Sequence, residues 1–308
     1  MNLSWFLEPV KDEEAPQAAR KGLRASAVVL LVALFALYGF FLAHTIDLTT
    51  ADLGRHIKNG EVLLQDRTVL STNYYSYTHP DFPVLNHHWA SGALLYAAYR
   101  VGGFPLVHIF FIALSFAAFA VFLLAARRRA VLGIVGFAAL LALPLLAERT
   151  EIRPEVFSYL FAGLFFLILN AHSNIRSQKV LWLLPATEVL WVNTHVYFLL
   201  GPLLVGAFLL AALVQKRAKC MRLFVVWCAT LAATLVNPFG WRALADAVGI
   251  FRNYGYTLAE NQSVWFLERL GMHNPNFLIF KIAIALLILS FIVVLIKNRR
   301  AFPLHIFS

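Results

Sequence analysis

The chain has 308 residues, of which 60% are hydrophobic and only 14% carry a charged side chain. A soluble domain of this length needs more polar surface than that, so the composition excludes an ordinary soluble protein. The net charge of +10 does not indicate a nucleic-acid partner, because the basic residues are gathered in short stretches between apolar runs. Apolar runs of roughly 18 residues or more predict membrane-spanning helices.

In chain order, the first predicted span covers residues 24–46 and follows a polar segment, 1–23, that we interpret as cytoplasmic and uncleaved. A long polar outer loop, residues 47–103, comes next. Within this loop, residues 89–99 are apolar but too short to cross a bilayer, and we expect them to lie at its surface. The second predicted span covers residues 105–126.

The rest of the chain alternates shorter and longer apolar segments at 131–146, 156–171, 180–191, 197–214, 223–236 and 277–296. The segments predicted to run outward (131–146, 180–191 and 223–236) are shorter than the ~30 Å hydrocarbon core requires. They are followed by AERTEIRPE, WVNTH and NPFGW. Polar backbone at such depth is tolerated only beside protein or water, so these segments predict a recessed outer cavity.

These elements predict an all-α integral membrane protein with about eight transmembrane helices. Its long first extracytoplasmic loop would contain short amphipathic helices, and residues 237–276 would form a second outer segment. Most of the 26 Lys and Arg residues fall on one side of these spans. That side is therefore predicted to be cytoplasmic, with the N-terminus inside the cell membrane and any active site outside it. Residues 301–308 have the composition of the start of a further span.

The strongest candidate for chemistry is ADLGRHIKNGE, residues 51–61. Asp52 is placed to start a short helix that closes near Asn59–Gly60, a normal C-terminal stop. On that helix Arg55 and His56 share a face with Asp52. A carboxylate beside Arg and His just outside a span suits general-base chemistry next to a phosphate. The alternative is that Asp52 is an N-cap and Arg55 a surface charge.

Other polar residues near the predicted span ends are candidates for binding a substrate. His87 and His88 could bind a metal, but no third ligand stands at helical spacing, and no metal site is predicted. Arg153 offers a bidentate fork for a phosphate, with local ion pairing as the alternative. His195, at the membrane edge, is either a ligand or a structural histidine. Glu260, in the ENQS segment, completes this set, whereas NPFGW is assigned a structural role as a helix terminator.

One succession of motifs is more specific: DLGRHIKNGE, YSYT, NHHW, IRPEVFSYL, LWVNTHVYFLLG, NPFGW and ENQS. In this order they resemble a group of bacterial polytopic membrane proteins similar to GT-C-type glycosyltransferases, the superfamily of protein mannosyltransferases and aminoarabinose transferases. The resemblance covers residues 51–263. It implies transfer of a sugar from a polyprenyl-phosphate donor to an acceptor outside the cytoplasmic membrane.

The resemblance also implies roles for individual residues. Asp52 matches the position of the catalytic acid in the first outer loop and would act as general base, with Arg55, Arg153 and His195 as cations for the leaving phosphate. Relatives often carry two acids spaced D-x-D, whereas Thr50 stands in this chain where the first would be. No cofactor is predicted, and a divalent metal has no support in the sequence. The alternative functions are a transporter or lipid-handling membrane protein without transferase activity, and a non-catalytic scaffold.

Overall fold

The computed structural model describes residues 17–48, 52–149, 151–172, 178–214, 220–249 and 262–297. These residues form an all-helical fold. The α-helices in chain order are α1 Gln17–Leu42, α2 Leu53–Asp66, α3 Trp89–Arg127, α4 Leu132–Ala147, α5 Glu155–His172, α6 Leu183–Thr194, α7 Leu200–Val214, α8 Cys220–Ala233, α9 Trp241–Gly249, α10 Val264–Arg269 and α11 Pro275–Lys297. Short 3-10 helices at Gln178–Trp182 and Val196–Leu199 precede α6 and α7.

Three helical stretches are long and apolar enough to cross a bilayer: Trp89–Arg127, Val196–Val214 and Pro275–Val293. Shorter apolar helices cover Ser26–Leu42, Leu132–Ala147, Glu155–Ala171 and Cys220–Ala233. The predicted all-α, membrane-associated class is therefore confirmed at this level.

The core is built around α5, which packs most extensively against α3 and also contacts α6 and α7. Phe165 of α5, Trp191 of α6 and Phe198 are completely buried in this core. The rings of Phe165 and Trp191 meet edge to face, with centroids 5.6 Å apart. In a bilayer such contacts are favoured by van der Waals packing between helices rather than by transfer from water.

The helices predicted to be short are short. The helices α4, α6 and α8 have 16, 12 and 14 residues, which corresponds to about 24, 18 and 21 Å of helix. After α8 the chain turns as NPFGW predicts. The Asn237 amide donates to the carbonyl oxygens of Thr234 and Gly240, and Gly240 has φ +56°. The structural role assigned to this motif is confirmed.

A break divides α3. The backbone leaves the helical region at Gly102 (φ −144°, ψ 18°) and at Gly103 (φ 63°, ψ −159°). The second of these conformations is accessible essentially only to glycine. Residues 89–101, which we call the α3 arm, are thus separated from the long apolar part of the helix that follows. The segment predicted at 89–99 is a distinct element that extends two residues further, and its position at the membrane surface stays a prediction.

Candidate functional site

Asp52 lies immediately before α2 with an exposed side chain. Its backbone is left-handed, with φ 53°, a conformation that Asp tolerates better than most residues. Its carboxylate caps no backbone N–H of the helix. Instead Oδ2 accepts a hydrogen bond from Nη2 of Arg55 at 2.8 Å, and both side chains remain at least half exposed. The interpretation of Asp52 as a side-chain N-cap is therefore wrong, and this carboxylate faces solvent beside a guanidinium.

The helix that follows is longer than its sequence suggests. The predicted end near Asn59–Gly60 is wrong, because α2 continues to Asp66 and leaves the helical path at Arg67, where φ is 55°. Gly60 is buried and packs directly against the backbone of Gly92 in the α3 arm. Gly60 therefore allows close packing of the two helices because it has no side chain, and it does not act as a C-terminal stop.

Docking of α2 brings three histidines together from separate segments. The ring centroids of His56 and His88 are 5.3 Å apart, and those of His88 and His195 are 5.1 Å apart. His56 belongs to α2, His88 precedes the α3 arm, and His195 follows α6. We call these three residues the imidazole cluster. Tyr197 covers one side of it, with its ring centroid 4.7 Å from that of His195.

The surroundings of the imidazole cluster disfavour its charged forms. Burial, with the positive charge of Arg55, lowers the pKa of His56 to about 4. Burial lowers the pKa of His195 to about 3, and burial with the neighbouring His195 lowers the pKa of His88 well below its usual value. Packing several imidazoles together away from water disfavours their charged forms. We therefore expect His195, predicted above as a cation for the phosphate, to meet any ligand as a neutral imidazole.

Two arginines supply positive charge near the imidazole cluster. Arg55 follows Asp52 by one turn, and Arg153 is close enough to lower the pKa of His56. Arg153 is also part of local ion pairing, since its Nε lies 3.7 Å from Oε2 of Glu151. This pair is long, and surface pairs of this kind add little stability. The Arg153 guanidinium therefore forms a weak ion pair with Glu151 and also lies close enough to His56 to affect its charge.

His87 has a different environment from its neighbour. Its ring is buried, and its Nε2 lies 2.7 Å from Oδ2 of Asp246 in α9. It still lies near enough to influence His88 and His195 electrostatically. We interpret His87 as a link between the outer loop and α9. Glu260, the remaining sequence candidate, lies outside the described residues.

Further hydrogen bonds join the segments predicted to line an outer cavity. Trp89 Nε1 donates to Oδ1 of Asn193 at 2.9 Å, and the Ser91 hydroxyl donates to the carbonyl oxygen of Thr194 at 2.9 Å. The Asn193 amide donates in turn to the carbonyl oxygen of Val236 at 2.8 Å. The first loop, WVNTH and the residue before NPFGW are therefore in contact through close packing, and the recessed cavity stays a prediction.

The structure also contains open space elsewhere among the outer-loop residues. A hollow of about 440 Å³ is lined by His44, Thr45, Ile46, Leu48, Phe104, Pro105 and His108. His44 and His108 lie together in it, with ring centroids 5.7 Å apart. Across the described part of the chain, no three His, Cys, Asp or Glu side chains are arranged to hold a metal ion.

Reasoning from sequence missed three residues of this region. Ser158 and Trp191 hold the ring of His195, and Asp246 holds that of His87. Ser158 and Trp191 do occur inside IRPEVFSYL and LWVNTHVYFLLG, so the motifs themselves were the available signal. For Asp246 the sequence offers only an isolated acid on a short amphipathic helix.

Comparison with known proteins leaves the site to be interpreted from its own geometry. No protein family, no characterised protein and no solved structure matches the chain.

Proposed function

We propose that the chain is a membrane glycosyltransferase that moves a sugar from a polyprenyl-phosphate donor to an acceptor on the extracytoplasmic face. In this proposal about eight helices cross the cytoplasmic membrane in a GT-C-like arrangement, with the N-terminus inside. One observation carries it. The exposed Asp52 carboxylate pairs with Arg55 at 2.8 Å, beside an uncharged imidazole cluster at the ends of apolar helices.

Asp52 has the properties that a general base needs. Its carboxylate is exposed and is not used to cap α2, so an acceptor hydroxyl can approach it. As the acceptor oxygen attacks the anomeric carbon, its proton passes to Asp52. The bond from the anomeric carbon to the phosphate oxygen breaks, and the electron pair leaves with that oxygen. The products are the glycosylated acceptor and the free polyprenyl phosphate.

The leaving phosphate requires positive charge and hydrogen-bond donors. Arg55 and Arg153 supply positive charge near His56, and a guanidinium can bind a phosphate with two parallel hydrogen bonds. The imidazole cluster contributes ring nitrogens, of which those of His56 and His195 are largely shielded from solvent. Donors fixed in such surroundings stabilise developing charge more than they would in water.

The test is transfer from radiolabelled hexosyl polyprenyl phosphates by the purified protein in lipid nanodiscs, measured as release of polyprenyl phosphate and labelling of acceptor. Asp52→Asn should lower the rate by roughly a hundredfold or more, because the amide cannot take the proton. Asp66→Asn is the matched control, since Asp66 is an exposed acid at the far end of the same helix.

Two outcomes would contradict this proposal. One is transfer by Asp52→Asn at the rate of the unaltered protein. The other is movement of the lipid-linked sugar across the bilayer with no release of polyprenyl phosphate, which would favour the transporter interpretation.

A further inference from the structure

A buried chain of hydrogen bonds ends on the ring of His195. Trp191 Nε1 lies 2.7 Å from Ser158 Oγ, and Ser158 Oγ lies 2.7 Å from Nδ1 of His195. All three side chains are at most 6% exposed. This series of hydrogen bonds runs from α6 to α5 and then to the segment after α6, so it depends on how the two helices pack against each other.

The direction of these hydrogen bonds follows from the chemistry of the groups. An indole N–H can only donate, so Trp191 donates to the Ser158 oxygen. A serine hydroxyl has one hydrogen, and the remaining partner of Ser158 Oγ is His195 Nδ1. The hydroxyl therefore donates to Nδ1. The backbone N–H of Tyr197 is directed at the same nitrogen, at 3.4 Å.

Two donors directed at Nδ1 determine the tautomer of His195. Nδ1 must carry a lone pair, so the hydrogen of the neutral imidazole is on Nε2. Protonating Nδ1 would break both hydrogen bonds, and this adds to the effect of burial in keeping the ring neutral. The two nitrogens flank Cε1, and their outward directions diverge widely across the imidazole ring. A ring that is held at Nδ1 by α5 therefore directs Nε2–H away from α5.

We propose that Ser158 is a positioning residue that fixes His195 in its Nε2–H form, so that this N–H donates to a phosphate oxygen of the lipid-linked donor. This inference rests on the proposed function for the identity of the ligand. It replaces the cation expected at position 195 with a neutral donor, leaving the positive charge to the arginines. Trp191 acts one step further back, by fixing the orientation of the Ser158 hydroxyl.

The direct test is nitrogen NMR of the full chain, labelled at histidine nitrogens, in detergent at neutral pH. His195→Gln assigns the signals. In the unaltered protein Nε2 of His195 should show the shift of a protonated nitrogen and Nδ1 that of an unprotonated one. Ser158→Ala should produce a mixture of tautomers, whereas Ser158→Thr, which keeps the hydroxyl, should restore the single form.

A second measurement addresses the ligand. Addition of polyprenyl phosphate without sugar should shift the Nε2 signal of His195, and this response should be weaker in Ser158→Ala. Inorganic phosphate distinguishes recognition of a lipid phosphate from binding of free phosphate. In the transfer assay, Ser158→Ala should raise the KM for the donor by about tenfold, which is the loss of about one hydrogen bond.

The outcomes separate this inference from the proposed function. Hydrogen on Nδ1 in the unaltered protein, tautomer signals unchanged in Ser158→Ala, or no response to polyprenyl phosphate would each overturn the role of Ser158. If the tautomer and the response to polyprenyl phosphate are as expected but no sugar is transferred, only the proposed function fails. Trp191→Phe keeps an aromatic ring at the buried position, although a smaller one, and removes the indole donor, so it should shift the tautomer balance in the same direction as Ser158→Ala.

Discussion

Gly60 of α2 packs directly on the backbone of Gly92 in the α3 arm, with no room for a Cβ atom between them. A side chain on Gly60 would overlap the carbonyl group of Gly92, and one on Gly92 would lie 2.8 Å from the carbonyl oxygen of His56. The distance between His56 and His88 therefore depends on two glycines that carry no functional group.

This contact can be tested with alanine. Gly60→Ala should lower the midpoint of thermal unfolding in detergent, because a backbone clash costs about 1–3 kcal/mol and exceeds the helix-propensity gain of ~1 kcal/mol. Gly54→Ala on the same helix has nothing within 4 Å of the added carbon and should be neutral or slightly stabilising. Equal effects of the two substitutions would show that α2 does not dock through Gly60.

The imidazole cluster predicts that acid destabilises the fold. The pKa of His56 is lowered from 6.5 to about 4 and that of His195 to about 3, so below pH 6.5 the unfolded chain binds more protons than the folded one. Each histidine thus favours unfolding as the pH falls from 6.5 towards its folded value, by up to about 1.4 kcal/mol per pH unit. The unfolding midpoint, measured from pH 7 to 4, should fall.

A variant isolates this contribution. His56→Gln removes one of the titrating groups and should flatten the dependence of the unfolding midpoint on pH, whatever its effect at pH 7. His79→Gln is the control, because His79 is an exposed histidine of the outer loop. A slope unaltered by His56→Gln would contradict the assignment of a neutral, buried imidazole.

The bond between His87 and Asp246 should stabilise the junction of the outer loop with α9. Asp246→Ala leaves Nε2 of the buried His87 without its 2.7 Å partner. The expected cost is about 1–3 kcal/mol, the penalty for stranding a buried polar group. Thermal unfolding measures it, with Asp81→Ala, at an exposed loop position, as the control. A neutral Asp246→Ala would mean that α9 is held by its apolar contacts alone.

Glu188 of α6 is completely buried, with its carboxylate against Gly201 of α7. Neither carboxylate oxygen has a hydrogen-bond partner among the described residues. Burying such a group without a partner is costly, so Glu188→Met, which keeps the length of the side chain, should raise the unfolding midpoint by the equivalent of about 1–3 kcal/mol. Leu184→Met, one turn earlier and equally buried, should change it little. A marked loss of stability in Glu188→Met would reveal a structural role for the carboxylate.

Hydropathy and segment length were sufficient to predict an all-helical fold, three short apolar helices and the turn at NPFGW. Gly60 marks a limit of prediction from sequence. The pair Asn59–Gly60 has the local signature of a helix stop, and that signature is the same whether or not another helix packs against Gly60. Whether Gly60 ends the helix or packs against another helix depends on its contact with Gly92, and no sequence pattern within α2 indicates that contact.

The same limit applies to the partners of the histidines. His87 and Asp246 are 159 residues apart, and Ser158 and His195 are 37 apart. Spacing relates residues on one helix but says nothing of residues that meet through tertiary packing. The charge state of His195 likewise follows from its burial, which a sequence position at a predicted membrane edge did not reveal.

The break at Gly102 and Gly103 separates the α3 arm from the rest of α3. His56 and His88 are carried by α2 and the start of the α3 arm, whereas His195 belongs to the connection between α6 and α7. A rotation at this joint would move the first two rings together and change their distance from the third. The hydrogen bonds from Trp89 to Asn193 and from Ser91 to Thr194 hold the α3 arm against the end of α6. They therefore determine whether His56 and His88 stay at their present distance from His195.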